Sequence, residues 1–480
     1  MTPSSRVLLP SVLLSACPTG NGGGAPPADT APPVARDAGV SASGTPAPAA
    51  SRGAPAKRLL LHPARIVDVR RGVYVGDVGV LIDAGRIVEA SAYDDLARRE
   101  ADTPVIELPG ITLLPGLIDC HTHLLTSFRP HVGEDDAVLL SIATMSTAER
   151  ALLGARNARE VLEGGITTVR DVGNSGLAGD VALARAIEAG WVRGPRMVPT
   201  TRALAPSGGQ LPIGMNPAVA GELVAQEYAV VSGPEGVRRG VREAIAAGAR
   251  AIKLIGDANG NSLHVEELRA AVDEARPRHI KVAVHAVDAP GVHAAALAGV
   301  DSIEHAYAVA DDDLERMRDN RIFLVPTDHP LDNLLLAMPF AADAQAGERL
   351  CAGLDRAIAC RRRRLHRAAE LGVRIAFGSD WYYDHPVKTR AEASLDVLRE
   401  YLAAGLTVPQ ILRAATVDAA ELLGLAGRVG ALDAGAHADI LGVHGDPLHD
   451  LDTLFHAALV VKGGAVILDP GRPFRSIPPI

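Results

Sequence analysis

Apolar positions change rhythm along the chain, and each rhythm predicts a different kind of element. Leu59-Leu-Leu61, Ala64-Arg-Ile-Val67, Val73-Tyr-Val75 and the run from Val78 to Ile82 are short, and Arg86-Ile-Val88 continues them. Gly76-Asp77 and Asp83-Ala-Gly85 separate these runs, as turn residues separate hairpin strands. A small sheet of this kind needs a second surface to close its other face. From Leu113 onward, short apolar strands alternate with longer stretches of helical period. Strands are expected after residue 113 and at 166–170, 197–200, 251–255, 281–284, 302–304, 322–325 and 373–377. Helices are expected at 149–163, 178–189, 234–247, 265–274, 289–298, 314–318 and 347–371, with a long Gly- and Pro-bearing connection over 201–234.

Eight strands with intervening helices predict an α/β fold, a (β/α)8 TIM-like barrel over residues 113–425, with its chemistry at the carboxyl ends of the strands. After helices at 408–415 and 417–423, strand-like runs return at 438–441, 457–461 and 465–468. Residues 57–112 and 426–475 are therefore expected to form one composite β-sandwich, each half supplying the layer that the other lacks.

The beginning of the chain reads differently. Residues 1–17 carry one cation, Arg6, and a short apolar segment interrupted by Pro10. It is too short for a mature membrane span and has the form of an export signal. Leu14-Ser-Ala-Cys17 resembles a bacterial lipoprotein cleavage box, which makes Cys17 the expected lipidation site; an ordinary signal peptide cut nearby is the alternative. On the lipoprotein reading the protein is exported to the periplasm or outer membrane, and an acyl anchor is its only membrane contact. Residues 18–56 are Pro, Gly, Ala, Ser and Thr with few large apolar groups, the composition of a flexible tether.

Composition narrows the partners. The 480 residues are 48% hydrophobic but only 3% aromatic, so the core is aliphatic. A formal charge of -9 disfavours a nucleic-acid partner. Cys17, Cys120, Cys351 and Cys360 have the spacing of neither a zinc knuckle nor a disulfide framework. Arg361-Arg-Arg-Arg364 falls in a predicted helix, which spreads four side chains around its axis, and is expected to be mainly a solvated face.

Candidate chemistry begins at Gly116-Leu-Ile-Asp-Cys-His-Thr-His123. Side chains at alternate positions of a strand share a face, so His121 and His123 can address one atom, and imidazole suits zinc and similar cations. The barrel would bring Lys253, His285, His305 and Asp380 to the same end. A lysine between Ile252 and Leu254 is costly unless paired or modified.

These stretches resemble the metal-dependent amidohydrolase superfamily, in particular its imidazolonepropionase-related and prolidase-like branch. Gly165-Ile-Thr-Thr-Val-Arg-Asp-Val-Gly173, Ile252-Lys-Leu254, Val282-Ala-Val-His285, Gly299-Val-Asp-Ser-Ile-Glu-His305 and Ile375-Ala-Phe-Gly-Ser-Asp380 carry the likeness. It continues through Ala414-Ala-Thr-Val-Asp-Ala-Ala420 and Gly435-Ala-His-Ala-Asp-Ile440. The resemblance implies two divalent metal ions, zinc by donor type. His121, His123 and Asp380 would hold one and His285 and His305 the other, with N6-carboxylysine at Lys253 between them. It implies cleavage of a small-molecule amide, a dipeptide or N-acyl amino acid, by a metal-bridging hydroxide with Asp380 as proton shuttle.

A cyclic-amide or lactone hydrolase is the second enzymatic reading, and a metal-stabilised binding protein is the non-enzymatic one. Homo-oligomers are common in the resembling family. Where its members carry Gly-Gly-His this chain has Gly208-Gly-Gln210, and Gln210 hydrogen-bonds but does not titrate near neutrality. Other candidate substrate contacts are His131, Asn174, Trp381, Tyr382 and Tyr383, the aromatic run serving equally well as loop packing. Arg170 and Asp171 are expected to pair with each other at the end of the second strand.

Overall fold

A computed structural model describes residues 58–469. Cys17, the expected export signal and the expected tether lie outside the described residues. Eight parallel strands follow the barrel order: Leu117–Thr122, Ile166–Asp171, Arg196–Pro199, Ala251–Ile255, Lys281–Ala286, Ser302–His305, Phe323–Val325 and Arg374–Ile375. These are barrel strands 1 to 8. Strands 1 to 3 form one parallel ladder and strands 4 to 8 another. Backbone hydrogen bonds close the ring, from Arg250 N–H to the Pro199 carbonyl at 2.8 Å and from Cys120 N–H to the Phe377 carbonyl at 2.8 Å. Apolar residues from the strands and the surrounding helices merge in one large core, including Val169, Leu254, Val284, Ile303 and Leu324.

The connection over 201–234 is more structured than its Gly and Pro content suggests. It holds strand Ala203–Ala205, helix Pro217–Glu227 and strand Tyr228–Val230, and the two strands pair in parallel beside barrel strand 4. Three-residue strands are too short to show a period. Helices Glu134–Thr144, Leu331–Ala337 and Arg390–Ala403 also decorate the carboxyl side of the sequence-predicted strands. Among the described residues, no single helix is long and apolar enough to cross a membrane.

Both ends of the described chain meet in one eight-stranded sheet. Its path runs Ala465–Leu468, Ala457–Lys462, Ile440–His444, Val105–Pro115, Leu59–Asp68, Val78–Asp83 and Arg86–Ala92, and Val73–Gly76 pairs beside Leu59–Asp68. The expected sandwich consists of two separate layers, whereas the hydrogen bonding here is continuous. Leu59–Asp68 is paired on both sides, so the ladder has no break at which two layers would part. The sheet instead curls. Ile87 N–H reaches the Ala436 carbonyl and Ala438 N–H reaches the Gly85 carbonyl. Val80, Ile82, Leu113, Ile440 and Val461 fill the inside of the curl, while Leu114, Leu441 and Val460 join the barrel core from the opposite face. Burial on both faces explains the unbroken apolar run at 111–114.

Val105–Pro115 passes through Gly116 directly into barrel strand 1, so the sheet fixes where the two histidines emerge. A Cβ at Gly116 would lie 2.3 Å from Thr167 Oγ1 and 2.8 Å from Thr167 Cβ. Only glycine lets strand 1 lie against strand 2 at this point. Gly116→Ala is expected to lower unfolding free energy in urea by about 1–3 kcal/mol, the usual range for an overpacked core. A midpoint equal to that of the unaltered protein would show that the strands are not held this closely.

Candidate active site

Barrel strand 1 delivers His121 and His123 to the carboxyl face, and Asp380 closes on them from the loop after strand 8. Asp380 Oδ1 stands 3.4 Å from His121 Nε2 and 3.2 Å from His123 Nε2. Its backbone N–H donates to the His121 carbonyl at 2.8 Å. His305 Nδ1 lies 3.9 Å from Asp380 Oδ2, and the ligand atoms of His121, His305 and Asp380 all fall within 4.8 Å of one another. His285 joins through His305, their ring centroids being 4.5 Å apart. Lys253 is buried on strand 4, and its charge acts on His121, His285 and His305. All six residues predicted as ligands therefore share one cluster. His305 and Asp380 adopt left-handed backbone, φ 69° and 52°, a conformation that bulky residues keep only where the surroundings enforce it.

The other ring nitrogens are pinned by the protein. His121 Nδ1 is 2.7 Å from Glu304 Oε2, His123 Nδ1 is 2.9 Å from the Gly173 carbonyl, and His305 Nδ1 is 2.7 Å from Thr327 Oγ1. An acceptor on one nitrogen fixes the tautomer and turns the other nitrogen toward a metal. His285 Nε2 faces Asp257 Oδ1 at 3.6 Å. Burial and the Lys253 charge push His121 down to about 4 and His285 down to about 3, and burial with the neighbouring His285 holds His305 well below its usual value. Burial opposes ionisation of Asp380, but His121, His123 and His305 outweigh it and hold the carboxyl far below the carboxylate range. Neutral imidazoles beside an ionised carboxylate are a donor set that fits divalent cations.

Beneath the histidines lies a buried ion pair. Glu304 Oε1 accepts from Arg170 Nη2 at 2.8 Å and from Ser302 Oγ at 2.5 Å. Arg170 also donates from Nε to the Cys120 carbonyl at 2.6 Å. Arg170 thus pairs with Glu304 rather than with Asp171, whose carboxylate instead accepts from Leu124 N–H at 2.7 Å and Ser175 Oγ at 2.9 Å. The sequence held a signal for this pair. Alternation puts Arg170, Ser302 and Glu304 on inward faces of apolar strands, the same cost that singles out Lys253.

The arginine run is also not a solvated face. Arg361 and Arg364 are 4% and 7% exposed. Arg361 stacks over the Tyr307 ring at 3.8 Å, Arg364 donates to the His305 carbonyl and pairs with Asp328, and Arg362 pairs with Glu400. The long helix Ala344–Glu370 packs two of these guanidinium groups behind the site, where buried acceptors await them.

Expected substrate contacts divide. Gln210 and Asn174 line a cavity of about 590 Å³ that opens beside His285. The Gln210 amide nitrogen is 3.2 Å from His285 Nε2, and the Tyr228 hydroxyl lies 3.4 Å from Gln210 Oε1. Tyr382 meets His123 edge-on at 5.6 Å and donates to Glu134 at 2.8 Å. Trp381 and Tyr383 are buried in a separate apolar cluster with Phe128 and Ala393, so those two rings pack the loop. His131 turns away, stacking on Phe340 at 4.0 Å and lying 3.2 Å from the Met338 carbonyl.

A model of the amidohydrolase family matches residues 112–467. Ochratoxinase from Aspergillus niger is 30% identical over 388 residues, 75% of this chain and 76% of its own length. Imidazolonepropionase from Symbiobacterium thermophilum is 27% identical over 443 residues, 84% of this chain and 94% of its own. Among solved structures, a prolidase complexed with N-methylphosphonate-L-proline superposes with a TM-score of 0.72 at 29% identity, over 86% of this chain and 100% of that one.

Glu304→Gln is expected to cost about 3–5 kcal/mol of stability, because it leaves Arg170 buried beside a neutral partner. Combining Arg170→Met with Glu304→Leu should cost less than the two single losses together. Urea denaturation of the three variants measures this, and additive losses would show that the pair does not interact.

Proposed function

The chain belongs to the amidohydrolase family, in the branch of imidazolonepropionase and the prolidases, and from that premise we propose that it hydrolyses the amide bond of a dipeptide or N-acyl amino acid. The observation that carries this reading is the Asp380 carboxylate set between two imidazoles at the mouth of the barrel, next to a cavity of small-molecule size. His121, His123 and Asp380 would hold one divalent cation and His285 and His305 a second, zinc by donor type. Bound there, such cations supply Lewis acidity toward a carbonyl oxygen and lower the pKa of water.

Lys253 fits a place between them as a carbamate. Its ammonium makes no hydrogen bond or ion pair among the described residues, and burial brings it down to about 8, which leaves a fraction of neutral amine near pH 7. That amine adds to carbon dioxide with loss of one proton, forming an N–C bond and an anion with two donor oxygens. Asp380, ionised by its histidine neighbours, takes the proton from the attacking water and returns it to the departing amine. Glu304, Gly173 and Thr327 hold the imidazoles in place meanwhile, so that little reorganisation accompanies the reaction.

Asp380→Asn should fold normally and lose turnover by ~10²–10⁴-fold, the usual weight of a general acid–base group. His285→Ala and His305→Ala should each reduce bound metal in elemental analysis, and chelation should abolish activity that added zinc restores. The substrate panel is Xaa-Pro and other dipeptides, N-acyl amino acids, lactams and lactones. Full activity in metal-free protein, or in Asp380→Asn, would refute the mechanism.

A further inference from the structure

The cavity beside His285 is unbalanced in charge. Glu134, Asp135, Asp257 and Asp288 line it, and among the described residues no lysine or arginine does. Each acid has a local structural use. Asp288 caps helix Ala289–Ala298 by accepting from Gly291 N–H at 2.7 Å. Asp257 Oδ2 accepts from Val287 and Asp288 N–H at 2.8 and 3.0 Å. Glu134 and Asp135 stand in the first turn of helix Glu134–Thr144, where negative charge complements the helix dipole.

Those uses leave acceptors over. Asp257 is only 5% exposed, yet its Oδ1 has no hydrogen-bond donor among the described residues, the nearest ring nitrogen being His285 Nε2 at 3.6 Å. Asp135 makes no hydrogen bond or ion pair among them either, and Glu134 receives one donor, the Tyr382 hydroxyl at 2.8 Å. The neutral amides lean the same way. Asn259 and Asn261 give a side-chain N–H to the Leu211 and Ser207 carbonyls at 2.8 and 3.1 Å, and their oxygens stay without a donor. A substrate carboxylate in this cavity would face like charges and surplus lone pairs. A cation would find partners on several sides, and carboxylate pairing strengthens as water is excluded.

Resting on the hydrolase reading above, we infer that the substrate arm held in this cavity carries a positive charge, an ammonium or a guanidinium, with Glu134, Asp135 and Asp257 as its partners. A dipeptide with a free amino terminus or a basic side chain fits this requirement, and an uncharged N-acyl arm does not.

Matched substrates of the full-length, metal-loaded enzyme test it. One set compares a dipeptide with its N-acetyl form, and the other compares an arginine-containing dipeptide with its citrulline isostere. The charged member of at least one set should have a kcat/KM tenfold or more higher, about 1.4 kcal/mol, and the advantage should shrink as salt is raised. The set that shows it identifies the source of the charge. The double variant Glu134→Gln, Asp135→Asn should bring the ratio toward one. Binding is read without turnover from the thermal shift given by L-arginine against L-citrulline and by L-alaninamide against N-acetyl-L-alaninamide.

Equal kcat/KM and equal thermal shifts within both sets, with amides still cleaved, would overturn the charge assignment and leave the hydrolase. A ratio unchanged in the double variant would likewise overturn it. A charge-selective thermal shift that the double variant loses, with no amide in the panel cleaved, would uphold the cavity's preference and remove the hydrolase reading.

Discussion

The candidate centre depends on the pairing of Arg170 with Glu304 inside the barrel. Both side chains are fully buried, and neither tolerates isolation from water unless the other stays in place. The pair does more than neutralise charge. Glu304 shares its second oxygen with His121, and Arg170 holds the Cys120 carbonyl one residue earlier. Barrel strands 1, 2 and 6 are thus tied at the level just below the imidazoles. Burial opposes ionisation of Glu304, but Arg170 and His121 outweigh it and hold the carboxyl down to about 2, so the charge persists across any ordinary pH.

The same logic runs outward around the ring. Gly173 and Thr327 fix two further histidines, Arg364 supports the His305 carbonyl from behind, and Arg390 donates to the carbonyls of His123 and Thr126 at 2.9 and 3.2 Å. Each presumed ligand is therefore oriented by a neighbour that never touches the reacting atoms. Such support lets a cluster of neutral rings stand ready in a dry interior instead of collapsing onto its own hydrogen bonds.

Much of this was legible in the residues themselves. Alternate histidines at a strand end, a lysine in an apolar strand and an aspartate after the last strand announce themselves because each violates the pattern around it. The whole ligand cluster and the order of the barrel strands follow from such violations. What stayed hidden depends on distance in the chain. Arg170 stands next to Asp171 in sequence, but its partner is more than a hundred residues away on strand 6. The arginine run looked solvated because the helix period shows how side chains fan out and not what packs against them. The aromatic run splits, Tyr382 toward His123 and its two neighbours into loop packing, a division that a run of three rings cannot disclose. Continuity of the curled sheet was equally invisible, since strand order is not written in any single strand.

That curled sheet also sets the timetable of synthesis. Val105–Pro115 needs Ile440–His444 along one edge, and the ribosome delivers that neighbour roughly 300 residues later, tens of seconds at ordinary elongation rates. Throughout that interval Leu113 and Leu114 have no cover on that side. The nascent chain carries an apolar edge that only its own last segment can hide, which makes it a client for holding chaperones and makes late truncation far more damaging than early trimming.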